Sequence, residues 1–133
     1  MLFNKANATT FIVTSNADSG PGTLREAMTN AGINDNVLTD YIYFNLLGTS
    51  ASDFTINLTQ NLPNVSSNLV IDATSQPSIF TFPNQTKVKI SSPVSNNPIT
   101  IFKGNSIINF EIYGLFVYDY TDEVVSRPTV GLR

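Results

Sequence analysis

The chain lacks cysteine, histidine and tryptophan, and charged residues make up only 13% of its 133 residues. Without cysteine there is no disulfide or thiolate site, and without histidine the usual general base and the commonest neutral metal ligand are missing. Any chemistry would therefore depend on carboxylates, Lys, Arg or Tyr. A net charge of -3 and the absence of any Lys/Arg cluster argue against nucleic acid as a partner.

Long hydrophobic runs are also absent. No stretch approaches the roughly 18 apolar residues that a membrane span needs, and the opening MLFNKANATT lacks the apolar centre of a secretory signal. We therefore expect no membrane insertion, and an exported form would be a mature form or an excised piece. Plentiful Asn, Ser and Thr with few charges suit a folded extracellular protein, so we predict a secreted or cell-surface location.

The stretch DSGPGTLREAM, residues 18–28, predicts a turn that leads into a short helix. Thr23 and Glu26 have the spacing of a capping box, in which the two side chains satisfy backbone N–H groups at the start of a helix. The apolar residues at helical spacing form one stripe: Leu24, Ala27, Met28 and Ala31. We predict a helix over 23–31, ended by Gly32. The predicted structural cap consists of Thr23, Leu24, Glu26, Ala27 and Met28.

Most of the remaining chain is typical of short strands. Phe54, Ile56 and Leu58 alternate with polar residues, which is the period of a strand with one buried face. Asn, Ser, Pro and Gly between the segments predict turns. The segments predicted as strands are 10–15, 41–46, 54–59, 68–74, 87–92, 99–104 and 109–120.

The order of these elements resembles a known family. Three successive stretches resemble the amino-terminal region of bacterial secreted right-handed parallel β-helix proteins of the pectate-lyase-like superfamily. They are VTSNADSGPGTLREAMTNAG, DYIYFNL and FTINLTQNLPNVSSNLVIDATSQPSI. Many of these carry a Ser-Leu-Arg-Glu-Ala type signature, which stands here as Thr23-Leu24-Arg25-Glu26-Ala27, with Thr for Ser and no preceding Cys. The resemblance covers most of residues 11–120 and implies that the helix caps the open end of a β-helix.

The fold class that the resemblance implies is all-β: a right-handed parallel β-helix (solenoid) of a few rungs with one short N-terminal capping helix. A β-sandwich of seven short strands is the alternative. We expect one domain over 1–133, with the N-terminal strand and capping helix in 10–46 and the rungs in 47–133. Nothing near Arg133 resembles a second cap, so we expect the open C-terminal end to be covered by more of the chain or by another copy.

The β-helix interpretation also predicts which side chains point inward and which point outward. The residues expected to point inward are Ile56, Val70, Ile90, Ile101, Phe110, Ile112, Leu115, Val117 and Tyr120. Glu111, Tyr113, Phe116 and Tyr118 would face outward. Three exposed rings in a row can stack on sugars or dock a partner. Tyr113, Phe116 and Tyr118 are therefore the candidate ligand-binding residues, with a polysaccharide as one candidate partner.

An enzyme is the weaker interpretation. Relatives that are enzymes combine carboxylates, which in the lyases hold Ca²⁺, with an Arg or Lys base, or group several Asp residues on neighbouring rungs. The candidates here are the acids Asp72, Glu111, Asp119, Asp122 and Glu123, with Lys87, Lys89, Lys103 and Arg127 as cationic partners. Asp72 stands alone and suits a turn. The cluster of Asp119, Asp122 and Glu123 is typical of a solvated turn, with a Ca²⁺ site as the alternative.

Arg25 and Glu26 both have structural explanations, so we predict no catalytic residue and no cofactor other than Ca²⁺ at the acidic cluster. The predicted function is an extracellular structural or adhesive segment without chemistry of its own, part of a cell-surface adhesin or a self-stacking filament subunit. The alternatives are the N-terminal part of a polysaccharide lyase or hydrolase, and a carbohydrate-binding module.

Overall fold

The computed structural model describes residues 8–34, 37–92, 101–119 and 123–125. These residues form one α-helix and eight strands. In chain order the elements are β1 Thr10–Val13, α1 Leu24–Ile33, β2 Asp40–Phe44, β3 Thr55–Asn57, β4 Leu69–Asp72, β5 Val88–Ser92, β6 Phe110–Tyr113, β7 Leu115–Asp119 and β8 Glu123–Val125.

The strands form two four-stranded sheets. The first sheet has the order β1-β2-β4-β6, and every neighbouring pair in it is parallel. The second sheet has the order β3-β5-β7-β8, in which only β8 runs antiparallel to its neighbour. Parallel neighbours need crossover connections, so strands that pair lie far apart in sequence; Thr10 pairs with Tyr41 and Val70 with Glu111.

One hydrophobic cluster joins the inner faces of both sheets to the helix. Ile42 and Ile71 enter it from the first sheet, Ile56 and Ile90 from the second, and Met28 from the helix; none is more than 1% exposed. Alternation along each strand explains this arrangement, since every second side chain points to the same face.

Helix α1 begins as the sequence predicts. Thr23 is the N-cap residue, and its hydroxyl accepts a hydrogen bond from the backbone N–H of Glu26. The Glu26 carboxylate accepts from the backbone N–H of Gly22, one residue before the cap. The predicted stripe is the buried face of the helix: Leu24, Ala27, Met28 and Ala31. This face packs α1 against β1 and β2.

The predicted end of the helix at Gly32 is wrong. The helix continues through Gly32 to Ile33, and Asn34 is its C-cap residue. Asn34 donates a hydrogen bond from its backbone N–H to Asn30, while its side-chain amide donates to the Asp40 carboxylate at the start of β2. These contacts hold Asn34 in an extended conformation, so the helix ends there.

The predicted fold class is also wrong. The described residues form a small α/β-like domain, with seven parallel strands in two sheets and one helix, rather than a right-handed parallel β-helix of several rungs. The alternative β-sandwich is wrong because its sheets are antiparallel, whereas β1 to β7 pair only in parallel. Alternation locates half-buried strands in any of these architectures, so it could not distinguish them. The predicted role of α1 as the cap of a β-helix is therefore wrong as well: the buried face of α1 packs against β1 and β2.

Two of the predicted strands differ from the structure. The described part of segment 99–104, residues 101–104, contains no strand. Segment 109–120 is not one strand, because Gly114 separates β6 from β7 and sends them to different sheets. Gly114 has φ +69°, a conformation that favours glycine.

One predicted core position faces the wrong way. Val70 is half-buried on the outer face of β4, while its neighbours Leu69 and Ile71 are fully buried. A shift of one residue moves a strand's side chains to the opposite face, and in the segment NLVIDAT both assignments place aliphatic residues inside. Tyr120 lies outside the described residues.

Candidate functional site

The outer face of the first sheet carries an unusual set of half-exposed side chains. They belong to the strand positions that alternate with the core residues, so they all lie on the side of the sheet away from the core. We call this surface the tyrosine face; the strand register places Ile12, Tyr43, Asp72 and Tyr113 in one row and Thr10, Tyr41, Val70 and Glu111 in the next.

Tyr41 and Tyr43 form the centre of this face. Both project from β2 because the sequence Tyr-Ile-Tyr-Phe alternates, with Ile42 and Phe44 buried on the other side. Their ring centroids are 5.8 Å apart and the ring planes are inclined by 49°. Neither hydroxyl makes a hydrogen bond to another described residue. The pair therefore combines apolar ring surface with two polar groups that are available to a ligand.

Asp72 lies between Tyr43 and Tyr113 in the same row. Its Oδ1 accepts hydrogen bonds from the backbone N–H of Thr74 at 2.9 Å and from the Thr74 hydroxyl at 2.5 Å. This is the turn role that the sequence predicts for Asp72. Oδ2 has no hydrogen-bond partner among the described residues. One carboxylate oxygen thus fixes the side chain while the other is open to a ligand.

Carboxylates are part of the tyrosine face. Its eight side chains include two carboxylates and no Lys or Arg. The second carboxylate belongs to Glu111, which accepts a hydrogen bond from the Tyr113 hydroxyl. Two of the acids considered as catalytic candidates, Asp72 and Glu111, therefore share one surface. The candidate cationic partner Lys89 belongs to β5 in the other sheet.

The three rings predicted to form a binding platform are not brought together. Tyr113 belongs to β6 in the first sheet, whereas Phe116 and Tyr118 belong to β7 in the second. Phe116 is only 7% exposed, contrary to the outward orientation expected for it. It is covered because its ring packs 6.0 Å from the ring of Phe82 and lies beneath the ammonium group of Lys89.

Tyr118 is the exposed ring of the second sheet. It is 36% exposed, and the Lys89 Nζ lies 4.7 Å from its ring centroid. The same Nζ lies 5.5 Å from the centroid of Phe116. Both distances allow a cation–π interaction. The outer face of this sheet thus places a positive charge beside its aromatic rings.

The acidic cluster is only partly described. Asp119 ends β7 and Glu123 begins β8, while Asp122 lies outside the described residues. Within the described ranges no three His, Cys, Asp or Glu side chains are grouped so that they could hold a metal ion. A Ca²⁺ site at this cluster stays a prediction.

Arg25, near the start of α1, is held by several polar contacts. The Arg25 guanidinium contacts the Asp18 carboxylate at 2.6 Å and donates to the carbonyl oxygens of Gln60 and Asn61. Thr59 donates to the other Asp18 oxygen at 2.6 Å. Burial acts to raise the pKa of Asp18, but the hydrogen bonds from Thr59 and Arg25 and the Arg25 charge outweigh it, so this pKa lies below its ordinary value. The group joins α1 to the loop after β3.

Sequence reasoning missed Tyr41 and Tyr43. The signal was present, because DYIYF places two tyrosines two residues apart within an alternating segment. The pairing of β2 with β4, which places Asp72 beside Tyr43, could not be inferred from the sequence.

Comparison of the chain with models of known protein families, with curated proteins and with solved structures found no match. The resemblance to β-helix proteins therefore stays an interpretation of the sequence, and nothing found supports the predicted secretion or adhesion. In the described part of the chain no helix is long and apolar enough to cross a membrane.

Proposed function

We propose that the protein is a non-catalytic carbohydrate-binding module that binds a glycan chain on the tyrosine face. Of the functions considered from the sequence, this is the one that the geometry supports best. Sugar rings present apolar C–H surfaces and many hydroxyl groups, so they are bound by aromatic rings with polar groups beside them.

The observation that carries the proposal is the group of Tyr41, Tyr43 and Asp72. The two rings supply stacking surface, and two hydroxyls and one carboxylate oxygen without described partners supply hydrogen bonds. All three residues project from paired strands, β2 and β4, over a fully buried layer. Such support holds a binding surface in place before the ligand arrives, which reduces the entropy cost of binding.

A binding role is favoured over hydrolysis by the state of the carboxylates. Glycoside hydrolysis needs two carboxyl groups that flank the scissile bond, one of them free to transfer a proton. Asp72 is engaged by Thr74 through one oxygen, and Glu111 accepts from Tyr113. Both are used to orient side chains on the face. The structural and self-stacking roles considered from the sequence stay predictions.

The proposal is tested by affinity electrophoresis or calorimetry against a panel of neutral, acidic and basic polysaccharides. Tyr43→Ala is expected to weaken binding by about tenfold, because it removes one stacking ring from the centre of the face. Tyr118→Ala is the matched control, since it removes an exposed ring from the other sheet and should leave binding unchanged. A wild-type protein that binds no polysaccharide, or equal losses in the two variants, would refute the proposal.

A further inference from the structure

We infer that two copies of the chain associate through β1, whose open edges pair antiparallel across a twofold axis. The partner is a second copy, and the contact joins their first sheets into one sheet of eight strands. This inference goes beyond the proposed function and does not depend on it, because it concerns the backbone edge of the sheet.

The backbone at the outer edge of β1 is open. Among the described strands β1 pairs only with β2. The carbonyl oxygens of Thr9 and Val13 accept hydrogen bonds from β2 and from the residue that follows it. Because backbone groups alternate in direction along a strand, those of Thr10 and Ile12 point away from β2. Neither residue's N–H or C=O has a hydrogen-bond partner among the described residues, so two donors and two acceptors are available to another strand.

This edge lacks the features that usually keep edge strands from pairing. Charged side chains, proline and bulges are the common protection. The sequence of β1, Thr-Phe-Ile-Val, has no charge and no proline, and its register with β2 is unbroken over all four residues. Ile12 is 48% exposed here. Since the strand is uncharged, it can lie against its own copy without electrostatic repulsion.

The open groups are complementary to themselves. In antiparallel pairing, two hydrogen-bonded residues exchange both of their N–H···O bonds. With the twofold axis at Phe11, Thr10 of each copy lies opposite Ile12 of the other copy, so four backbone hydrogen bonds form. This register uses every open backbone group of β1. A contact between two identical surfaces across a twofold axis has this property, which is why we assign the partner as a second copy.

The side chains of β1 fit the same register. Phe11 lies directly opposite Phe11 of the other copy, at a position where the two Cα atoms are about 4.5 Å apart. Its ring is only partly buried where it packs against the hydrophobic cluster, so ring surface remains for an aromatic pair across the axis. On the other face, Ile12 covers Thr10 of the other copy, which removes apolar surface from water.

The contact also changes the tyrosine face. Thr10 and Ile12 are its members on β1, and the twofold axis stands perpendicular to the joined sheet. Both tyrosine faces therefore lie on the same side of that sheet and form one continuous surface. A ligand long enough to reach both faces would bind the dimer more tightly than the single chain, because its second contact is intramolecular.

The first test is light scattering by the whole chain over a concentration series from about 1 µM to about 1 mM. We expect the mass to rise from one chain to two and to stop there, because a twofold contact closes on itself. A chain that stays monomeric up to the highest concentration, or one that grows beyond the dimer, would overturn the inference.

Ile12→Pro is the diagnostic variant. Proline removes the N–H of residue 12 and thus two of the four hydrogen bonds, while an edge position whose N–H points outward tolerates proline. We expect the Kd of the dimer to rise by about tenfold or more. Ile12→Val keeps the N–H and the branched side chain, so it is the matched control and should keep the Kd within about twofold. Equal dimerisation of the two variants would contradict the assignment to β1.

Amide hydrogen exchange of the wild type tests the contact without any substitution. The amides of Thr10 and Ile12 should exchange more slowly as the protein concentration rises. The amide of Asn57 is the control: the N–H of Leu58 donates to Ser91 in β5, so that of Asn57 points to the open edge of β3 and its exchange should not change. Protection of the β1 amides already complete at the lowest concentration would show that another segment of the same chain pairs with β1. That result, or exchange that is independent of concentration, would overturn the inference.

Discussion

At the scale of single residues, Asp18 shows how a few polar contacts join distant segments. It receives hydrogen bonds from Arg25 in the helix and from Thr59 beyond β3. The two contacts account for the lowered pKa of Asp18, because both stabilise its charged form against the cost of burial. The sequence indicated a structural role for Arg25, but it could not indicate Thr59 as a third member, since that contact spans 41 residues.

Thr59→Val should raise the pKa of Asp18 toward its ordinary value of 3.8, because one of its two side-chain donors is lost. NMR titration of the Asp18 carboxyl measures this directly. The pKa of Asp53, which is lowered by hydrogen bonds from the backbone of Ser50 and Thr49, should not move. An unchanged pKa of Asp18 would show that Thr59 does not stabilise the charged form.

The lowered pKa of Asp18 determines how its contribution to folding stability depends on pH. A carboxyl group whose pKa is lower in the folded state stabilises the fold above its unfolded pKa, and this contribution is lost as the pH falls through the folded value. The stability advantage of the wild type over Thr59→Val that comes from the charge of Asp18 should therefore be present at neutral pH and should disappear below pH 3.8.

At the scale of elements, Gly114 determines how the chain passes from one sheet to the other. It lies between β6 and β7 with φ +69°. A Cβ atom here would lie 2.7 Å from the backbone nitrogen of Thr74 and 2.8 Å from its Cγ2. The position thus requires glycine both for its conformation and for its closeness to the turn after β4.

Gly114→Ala should lower the free energy of unfolding by about 2 kcal/mol or more, through backbone strain and overlap with Thr74. Gly32→Ala is the matched substitution in α1, where nothing lies within 4 Å of the added methyl group. It should raise stability by about 0.5 to 1 kcal/mol, because alanine favours the helix. Urea unfolding measures both, and a change of the same sign in the two variants would contradict this assignment.

The elements were largely predictable from the sequence, and their pairing was not. Period-2 alternation located β1 to β5, and the capping residues and stripe located α1. The sequence analysis did not separate β6 from β7 at Gly114. A signal was present, because the inward-facing apolar residues Ile112 and Leu115 are three positions apart instead of the two expected within one strand. The orientation of Phe116 was missed because its cover, Phe82 and Lys89, comes from other segments.

The same limit applies to the tyrosine face. Each of its strands could be recognised alone, and the side chains on one side of each strand followed from alternation. The register that sets Asp72 between two tyrosines is a property of three strands together. Parallel pairing leaves no hairpin turn between partners from which a register could be read.

At the scale of the whole molecule, the two sheets and the helix share one hydrophobic cluster. Three phenylalanine rings in successive contact belong to this cluster or pack against it. The ring centroid of Phe80 lies 6.0 Å from that of Phe54 and 5.0 Å from that of Phe82. Phe54 is fully buried next to the second sheet, so these contacts connect the loop after β4 to the core. Among the described residues, the two sheets therefore share one core.

Thermal unfolding should therefore occur in a single cooperative transition. Scanning calorimetry is expected to give a calorimetric enthalpy equal to the van 't Hoff enthalpy, as for a two-state domain. Two resolved transitions, or a van 't Hoff enthalpy well below the calorimetric one, would show that the sheets unfold separately.

The position of the tyrosines has an optical consequence. The chain has no tryptophan, and three of its five tyrosines, Tyr41, Tyr43 and Tyr113, lie on the tyrosine face. The ultraviolet emission of the protein therefore originates largely from one surface, with no indole to mask it. Any molecule that settles on that surface changes the surroundings of the emitting rings, so the unlabelled protein can report its own occupancy.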